Sequence, residues 1–343
     1  MVLFVIGLGL ADEQDITLKG LEAIKSCEHV YLEAYTSILM VPDYQQRLEK
    51  LYGKSVTLAT RETVELQADD LIIQQSKIGN VAFLVVGDPL SATTHTDLIL
   101  RARSQKVVVK VIHNASIMTA IGSSGLQGYN FGQTVSIPFW TDEWKPDSWL
   151  ERIGENFRIG CHTLCLGDIK VREQSQEDMA RGRLVYQPPR YMLIPQLITQ
   201  LLEADLHHQT KYMLAHSTLA IALCRMGNSS SSPSSSHSKQ QDGELIVSGT
   251  LHELLALSSA SPEELVAEEA QDEEEVPDAG EAELAQRRAA RAEQRAMKAF
   301  GAPLHSLVLV GKRLHPLERD YAAQYMVPGS QWMKVAEDVY GCR

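Results

Sequence analysis

Three short stretches carry side chains that could do chemistry, and each directly follows an apolar run. Gly87-Asp88-Pro89 leads through Ser91 into Thr93-Thr94-His95, which puts a carboxylate, several hydroxyls and an imidazole close together in sequence. Gly7-Leu8-Gly9-Leu10 is a glycine turn of the kind that lets backbone N–H groups approach a phosphate or nucleoside. As a dinucleotide fingerprint it is incomplete, because Asp12 stands where a third glycine belongs, and a plain tight turn explains it equally well. His113-Asn114-Ala115-Ser116-Ile117 is the third stretch. Polar loops at the carboxyl ends of inner strands are where α/β proteins hold ligands. No Ser/His/Asp or Cys/His set is spaced for nucleophilic catalysis. His207, His208 and His216 lack metal-ligand spacing and read as surface or capping residues, so no metal is expected.

The elements that must position these loops follow from hydrophobic pattern. Residues 81–86 are all apolar and rich in β-branched types, as in a strand buried on both faces of a parallel sheet. Pro89 ends ladder bonding, and Thr93 or Thr94 is placed to cap a helix with Leu98, Ile99 and Ala102 on its inner face. Residues 2–6 read as a first strand and a helix follows from Thr17. Further strands are expected at 29–33, 55–59 and 107–112, the last of them buried, with an amphipathic helix over 62–76. Asn114 or Ser116 would cap the helix after the last of these strands. This alternation predicts a parallel, doubly wound sheet.

Beyond residue 125 the strand pattern is more mixed, with strands expected at 134–140, 162–169, 217–226 and 303–311 and a helix over 194–206. The fold class is therefore α/β with two domains, 1–113 on a parallel sheet and 114–343 on a second, mixed sheet. Two stretches interrupt the second domain. Residues 228–243 form a serine-rich loop expected to be disordered. Residues 258–301 form an acidic low-complexity insertion, expected to be exposed and partly helical with no apolar stripe to dock.

Composition narrows the function classes. The formal charge is −12, with 44 acidic against 32 basic residues, which excludes the basic footprint of a nucleic-acid binder and disfavours anionic lipid surfaces. No apolar run approaches the length of a membrane span. The apolar opening lacks a basic leader and reads as a strand rather than a secretion signal. Five cysteines, an odd number without a C-x-x-C pair, fit reduced thiols in the cytoplasm.

The loops together resemble a known family. Gly7-Leu-Gly-Leu10, Asp15-Ile-Thr17, Tyr31-Leu-Glu-Ala-Tyr-Thr-Ser37, Val85-Val-Gly-Asp-Pro89, Ala92-Thr-Thr-His95, Val111-Ile-His-Asn-Ala-Ser-Ile-Met118, Phe139-Trp-Thr-Asp142, Pro188-Pro-Arg-Tyr-Met192 and Pro303-Leu-His-Ser306 are similar to the diphthine synthase family. That family belongs to the tetrapyrrole-methylase-like (class III) adenosylmethionine methyltransferases. The resemblance implies a cytoplasmic homodimer with S-adenosyl-L-methionine in a cleft between its two α/β domains. It implies cofactor contacts at Leu10, Asp88, Ser91, Ser116, Ile117, Gly167, Met226 and His305. Ser91, Gly167 and Met226 depart from the family's usual residues, and Gly167, standing where a larger apolar residue is common, is expected to loosen the packing around the cofactor. His95 is a possible catalytic residue, as a proton relay or a loop brace. The implied substrate is translation elongation factor 2, at a histidine bearing a 3-amino-3-carboxypropyl arm. Four methyl transfers would trimethylate the amine and esterify the carboxylate. Alternatives are a precorrin- or uroporphyrinogen-type tetrapyrrole methyltransferase and a non-catalytic nucleotide-binding scaffold.

Overall fold

The computed structural model describes all residues except 172–180, 182, 184, 229–242 and 277–279. The serine-rich loop therefore lies, apart from its ends, outside the described residues. The chain divides into two compact units. One comprises Met1–Ala120, Ile169–Arg190 and Met226–Asn228, and the other Ile121–Asp168, Tyr191–Arg225 and Ser229–Arg343.

The first unit is built on Val2–Gly7 (β1), His29–Glu33 (β2), Thr57–Ala59 (β3), Val81–Val85 (β4) and Val108–Ile112 (β5). They form one sheet in the order β3-β2-β4-β1-β5, parallel throughout. Alternation along the inner strands separates two apolar layers. Leu3, Val5, Val81, Phe83 and Val85 pack on one face with Ile72, Ile73, Leu98 and Ala102. Ile6, Ala82, Leu84 and Ile112 pack on the other with Ile24, Leu48 and Tyr52. The doubly wound expectation holds, and β4 is buried along its whole length as its pattern requires.

Two local expectations change. The fifth strand is an edge strand rather than a buried one, with Val108 56% exposed. The helix expected over 62–76 is broken into Arg61–Glu65, a π-helical turn at Asp69–Ile73 and Gln74–Ile78.

The second unit holds Val135–Ile137 (β6), Thr163–Gly167 (β7), and, after a short ribbon of Ile169–Lys170 (β8) and Arg190–Tyr191 (β9) that belongs to the first unit except for Tyr191, the strands Leu219–Cys224 (β10), Leu245–Thr250 (β11) and His305–Leu309 (β12). The sheet order is β11-β10-β12-β7-β6, antiparallel except for the β6–β7 pair, which makes it mixed as expected. One face packs on the helices Trp149–Ile159 and Ile194–His208 through Trp149, Ile153, Leu197, Ile198 and Leu201. Thr250 and Glu253 close a capping box at the junction from β11 to the next helix.

The acidic insertion is more ordered than its composition suggests. Pro262–Glu275 and Glu281–Phe300 are helices zipped by Arg287 on Glu275, a two-pronged Arg291–Asp272 pair, and Arg295 on Glu268. The expected lack of a docking stripe fails at one end, where Ala296 is buried and Phe300 joins the core of the second unit.

Candidate active site

Strand order creates the site. The chain leaves β1 toward β2 on one side and leaves β4 toward β5 on the other, yet β1 and β4 are neighbours. The helices that follow them therefore pack on opposite faces of the sheet, which makes this carboxyl edge the topological switch point, where open α/β sheets form a ligand crevice. Gly7-Leu8-Gly9-Leu10 leaves β1 there and Gly87-Asp88-Pro89 leaves β4.

The two glycine loops are bonded to each other. Gly9 N–H donates to the Gly87 carbonyl at 3.3 Å, and Gly87 N–H to the Gly9 carbonyl at 2.6 Å. A Cβ on Gly7 would lie 2.5 Å from the Gly87 oxygen, so the approach requires glycine. Gly87 itself has φ +79°. The β5 loop completes the edge, because Asn114 Nδ2 donates to the carbonyls of Gly7 and Asp15, each at 3.0 Å. Asp15 in turn accepts from Leu10 N and Ala11 N. The sequence reading gave Asn114 only a capping role and Asp15 none. The sole signal for Asp15 was its place in the Asp15-Ile-Thr17 motif.

Asp88 ties two of these loops together. Its Oδ1 accepts from Leu90 N at 2.9 Å, with the Ser91 hydroxyl at 3.4 Å. Its Oδ2 accepts from His113 Nδ1 at 2.7 Å and Asn114 N at 3.2 Å. Burial alone would raise its pKa, but the hydrogen bonds from Leu90, His113 and Asn114 outweigh it and hold the carboxyl below its ordinary range. Four donors nearly fill the acceptor capacity of one carboxylate.

Ser116 begins the turn into Ile117–Ala120, with its carbonyl accepting from the N–H groups of Thr119 and Ala120. Its hydroxyl is buried and makes no hydrogen bond among the described residues, and its Cβ sits 3.4 Å from where a Cβ on Gly87 would be. Ile117, the next residue, starts the helix. Neither Thr93 nor Thr94 caps the helix Thr96–Ser104: Thr93 donates back to the Pro89 carbonyl at 2.7 Å, and His95 takes the cap position without a side-chain bond to the helix's own N–H groups.

His95 is 1% exposed and lies edge-on to Phe83, with ring centroids 5.2 Å apart. Its Nδ1 is 3.2 Å from the Pro89 carbonyl. A carbonyl only accepts, so Nδ1 carries the proton and Nε2 is left as a buried acceptor without a partner among the described residues. Burial, partly opposed by that bond, pushes the His95 pKa down to about 4. The ring is neutral at pH 7 and braces the Gly-Asp-Pro loop.

Leu10, Asp88, Ser91, Ser116 and Ile117 are thus brought to one edge of one sheet. Met226 belongs to the same unit; it is buried, and the position a Cβ would take on the adjoining Gly227 lies 3.0 Å from Leu10 Cβ.

Gly167 and His305 lie together in the second unit, at the end of β7 and the start of β12, one step beyond the Ser306–Leu166 pair. A Cβ on Gly167 would meet Met192 Cβ at 3.1 Å and Leu197 Cδ1 at 3.3 Å. The space of a larger side chain on the protein's side is already filled by Met192 and Leu197. His305 Nε2 donates to the Ala302 carbonyl at 3.1 Å and leaves Nδ1 buried without a partner among the described residues. Burial, and then the charge of Arg225, lower its pKa to about 4.

The edge in the first unit has room in its chemistry for a nucleoside: it is lined by glycine backbone, it carries a buried hydroxyl without a partner among the described residues, and its loops are fixed by Asp15, Asp88 and Asn114.

Comparison with known proteins agrees with this geometry. Residues 2–213 match the family of tetrapyrrole (corrin/porphyrin) methylases. A diphthine methyl ester synthase of Gibberella zeae is 46% identical over 340 residues, covering 99% of each chain. One from Saccharomyces cerevisiae is 46% identical over 324 residues, covering 94% of this chain and 89% of that protein. A crystal structure of diphthine synthase superposes with a TM-score of 0.66 at 25% identity, over 96% of this chain and 98% of the other. With fold, loop geometry and near full-length similarity in agreement, the chain belongs to the tetrapyrrole methylase family and is a methyltransferase of its diphthine methyl ester synthase branch.

Proposed function

We propose that the chain uses S-adenosyl-L-methionine to methylate translation elongation factor 2 at the histidine carrying a 3-amino-3-carboxypropyl arm. The product is the trimethylated amine with a methyl ester, after four transfers. The observation that carries this reading is the bonded pair of glycine loops at the switch point, in a chain nearly half identical over its whole length to proteins named for that product.

In this reading Leu10, Ser91, Ser116, Ile117 and Met226 contact the cofactor, and Asp88 serves it through the loop it holds rather than by a free carboxylate. Gly167 and His305 are further cofactor contacts by the family resemblance. The cofactor supplies an electrophilic methyl group. The protein's share is to align nucleophile and methyl and to exclude water, and orientation of this kind is worth about 7–11 kcal/mol. An α-amino group titrates near pH 8, so a useful neutral fraction exists at pH 7 without a strong general base, and the acceptor carboxylate is already ionised. Neutral, buried His95 then acts by position. The chain works as a cytoplasmic homodimer.

Mass spectrometry of purified elongation factor 2 bearing the arm, incubated with enzyme and cofactor, should show the mass of four added methyl groups. Transfer to a uroporphyrinogen-type substrate instead would move the chain to tetrapyrrole chemistry. No cofactor-dependent transfer to either would leave a binding scaffold.

A further inference from the structure

Histidines 207 and 208 end the helix Ile194–His208, where the helix dipole favours a cation. Sixty residues upstream, Asp147 sits just before the helix Trp149–Ile159, and its carbonyl accepts from Leu150 N–H at 2.8 Å. Folding brings the three together within the second unit. His208 Nε2 lies 2.6 Å from Asp147 Oδ2, and the two imidazoles meet edge-on at 83° with centroids 4.9 Å apart. One ligand atom from each residue falls within 4.8 Å of the others. Among the described residues this is the one group of three or more His, Cys, Asp or Glu side chains so placed. Spacing along the chain could not show it, because the carboxylate comes from the segment before another helix, sixty residues upstream.

We propose that Asp147, His207 and His208 bind a divalent transition metal ion of the zinc type. Two imidazoles and a carboxylate are the donors such ions take, whereas calcium and magnesium prefer oxygen alone. Zinc bonds of about 2.0–2.1 Å place tetrahedral ligand atoms roughly 3.4 Å apart. The widest pair must close by rotation of exposed side chains, and the His208–Asp147 pair must open slightly. Any proton held between His208 and Asp147 leaves for solvent as the metal takes both lone pairs, so charge and atoms balance. The fourth position is open to water. The bound ion would clamp the start of Trp149–Ile159 to the end of Ile194–His208, two helices that share the core of this unit.

The test uses the full chain without an affinity tag. Titration with zinc chloride by calorimetry should give one saturable equivalent, and cobalt(II) should give the visible bands of a tetrahedral site. Asp147→Ala and His208→Ala should each weaken binding at least tenfold, while His216→Ala binds as the parent does. Melting without metal confirms that the variants fold. Absence of saturable binding below millimolar zinc overturns the proposal. So does unchanged affinity in both variants, which would mark an adventitious ion only.

Discussion

Two carboxylates in this molecule are held in nearly the same way and sit in opposite settings. Asp88, in the first unit, accepts from a histidine and from the backbone N–H groups of Leu90 and Asn114. Glu318, in the second, accepts from His162 Nε2 at 3.4 Å and from the backbone of Gln127 and His315, each at 2.8 Å. The His162 tautomer is fixed from its other side, where Nδ1 accepts from Gly311 N–H, so Nε2 must donate. Burial would raise the Glu318 pKa, but the His162, His315 and Gln127 hydrogen bonds overcome it and hold it at about 2. The settings part at the histidine: His162 and Glu318 side chains are wholly buried, whereas the His113 side chain is 67% exposed. The same knot serves as a core fastener in one unit and as the rim of the proposed cofactor edge in the other.

The strongest way to break this comparison is Glu318→Ala. It strands a buried imidazole N–H and two backbone donors, and removal of one partner from such a site costs about 3–5 kcal/mol. Urea unfolding should show that loss. A cost under about 1 kcal/mol would mean the knot is not a fastener.

Acid titration sharpens the contrast. His95 has a folded pKa of about 4 against an ordinary 6.5, so between those values the unfolded chain binds more protons. Its contribution is whole above pH 6.5 and is lost as pH falls toward 4, by roughly 3 kcal/mol at most. Glu318 acts in the next window down: its lowered pKa gives stability above about 4.5 that disappears as pH falls toward 2. Stability curves of His95→Asn should therefore flatten in the upper window and keep their slope in the lower one. An unchanged upper slope would show that the ring charges without cost. His305, lowered similarly, adds to the parent's slope in the upper window.

Asp88→Asn comes next. Water can reach the exposed His113, so the stability cost should be about 1 kcal/mol, but the link between the β4 and β5 loops is weakened. Calorimetry with S-adenosylmethionine should show at least tenfold weaker binding. Affinity equal to the parent's would remove the Asp88 knot from the site.

The sequence showed the parts of the molecule that depend on local pattern. The apolar run of β4, the alternation of strands and helices, and the glycine loops all follow from periods and turn residues, and these placed the switch-point edge correctly. What escaped depends on distance in the chain. Asn114 on the Gly7 carbonyl, Asp147 beside His208, and His162 beneath Glu318 are pairs separated by 61 to 156 residues, and no spacing rule reaches that far. Exposure also escaped, since whether a strand such as β5 is inner or edge depends on sheet order. Charge composition misled at the acidic insertion: its arginines pair across two helices, and one aromatic, Phe300, is enough to dock the end.

The smallest expected effect isolates the ligand edge from backbone strain. Gly87 and Gly53 both have left-handed φ, +79° and +66°. Alanine at either should cost about 1 kcal/mol for that conformation alone. Around Gly53 nothing lies within 4 Å of the added methyl, whereas at Gly87 the methyl would face Ser116 Cβ at 3.4 Å, ordinary contact distance. The two variants should therefore lose similar stability in urea. Their binding should differ, because the Gly87 methyl stands on the edge where Ser116 keeps a hydroxyl without a partner among the described residues. Gly87→Ala should raise KM for the methyl donor severalfold, while Gly53→Ala leaves it at the parent value. Equal KM values in both variants would mean that the Gly87–Ser116 side of the crevice is not where the donor sits, even if the neighbouring glycine loop still binds it.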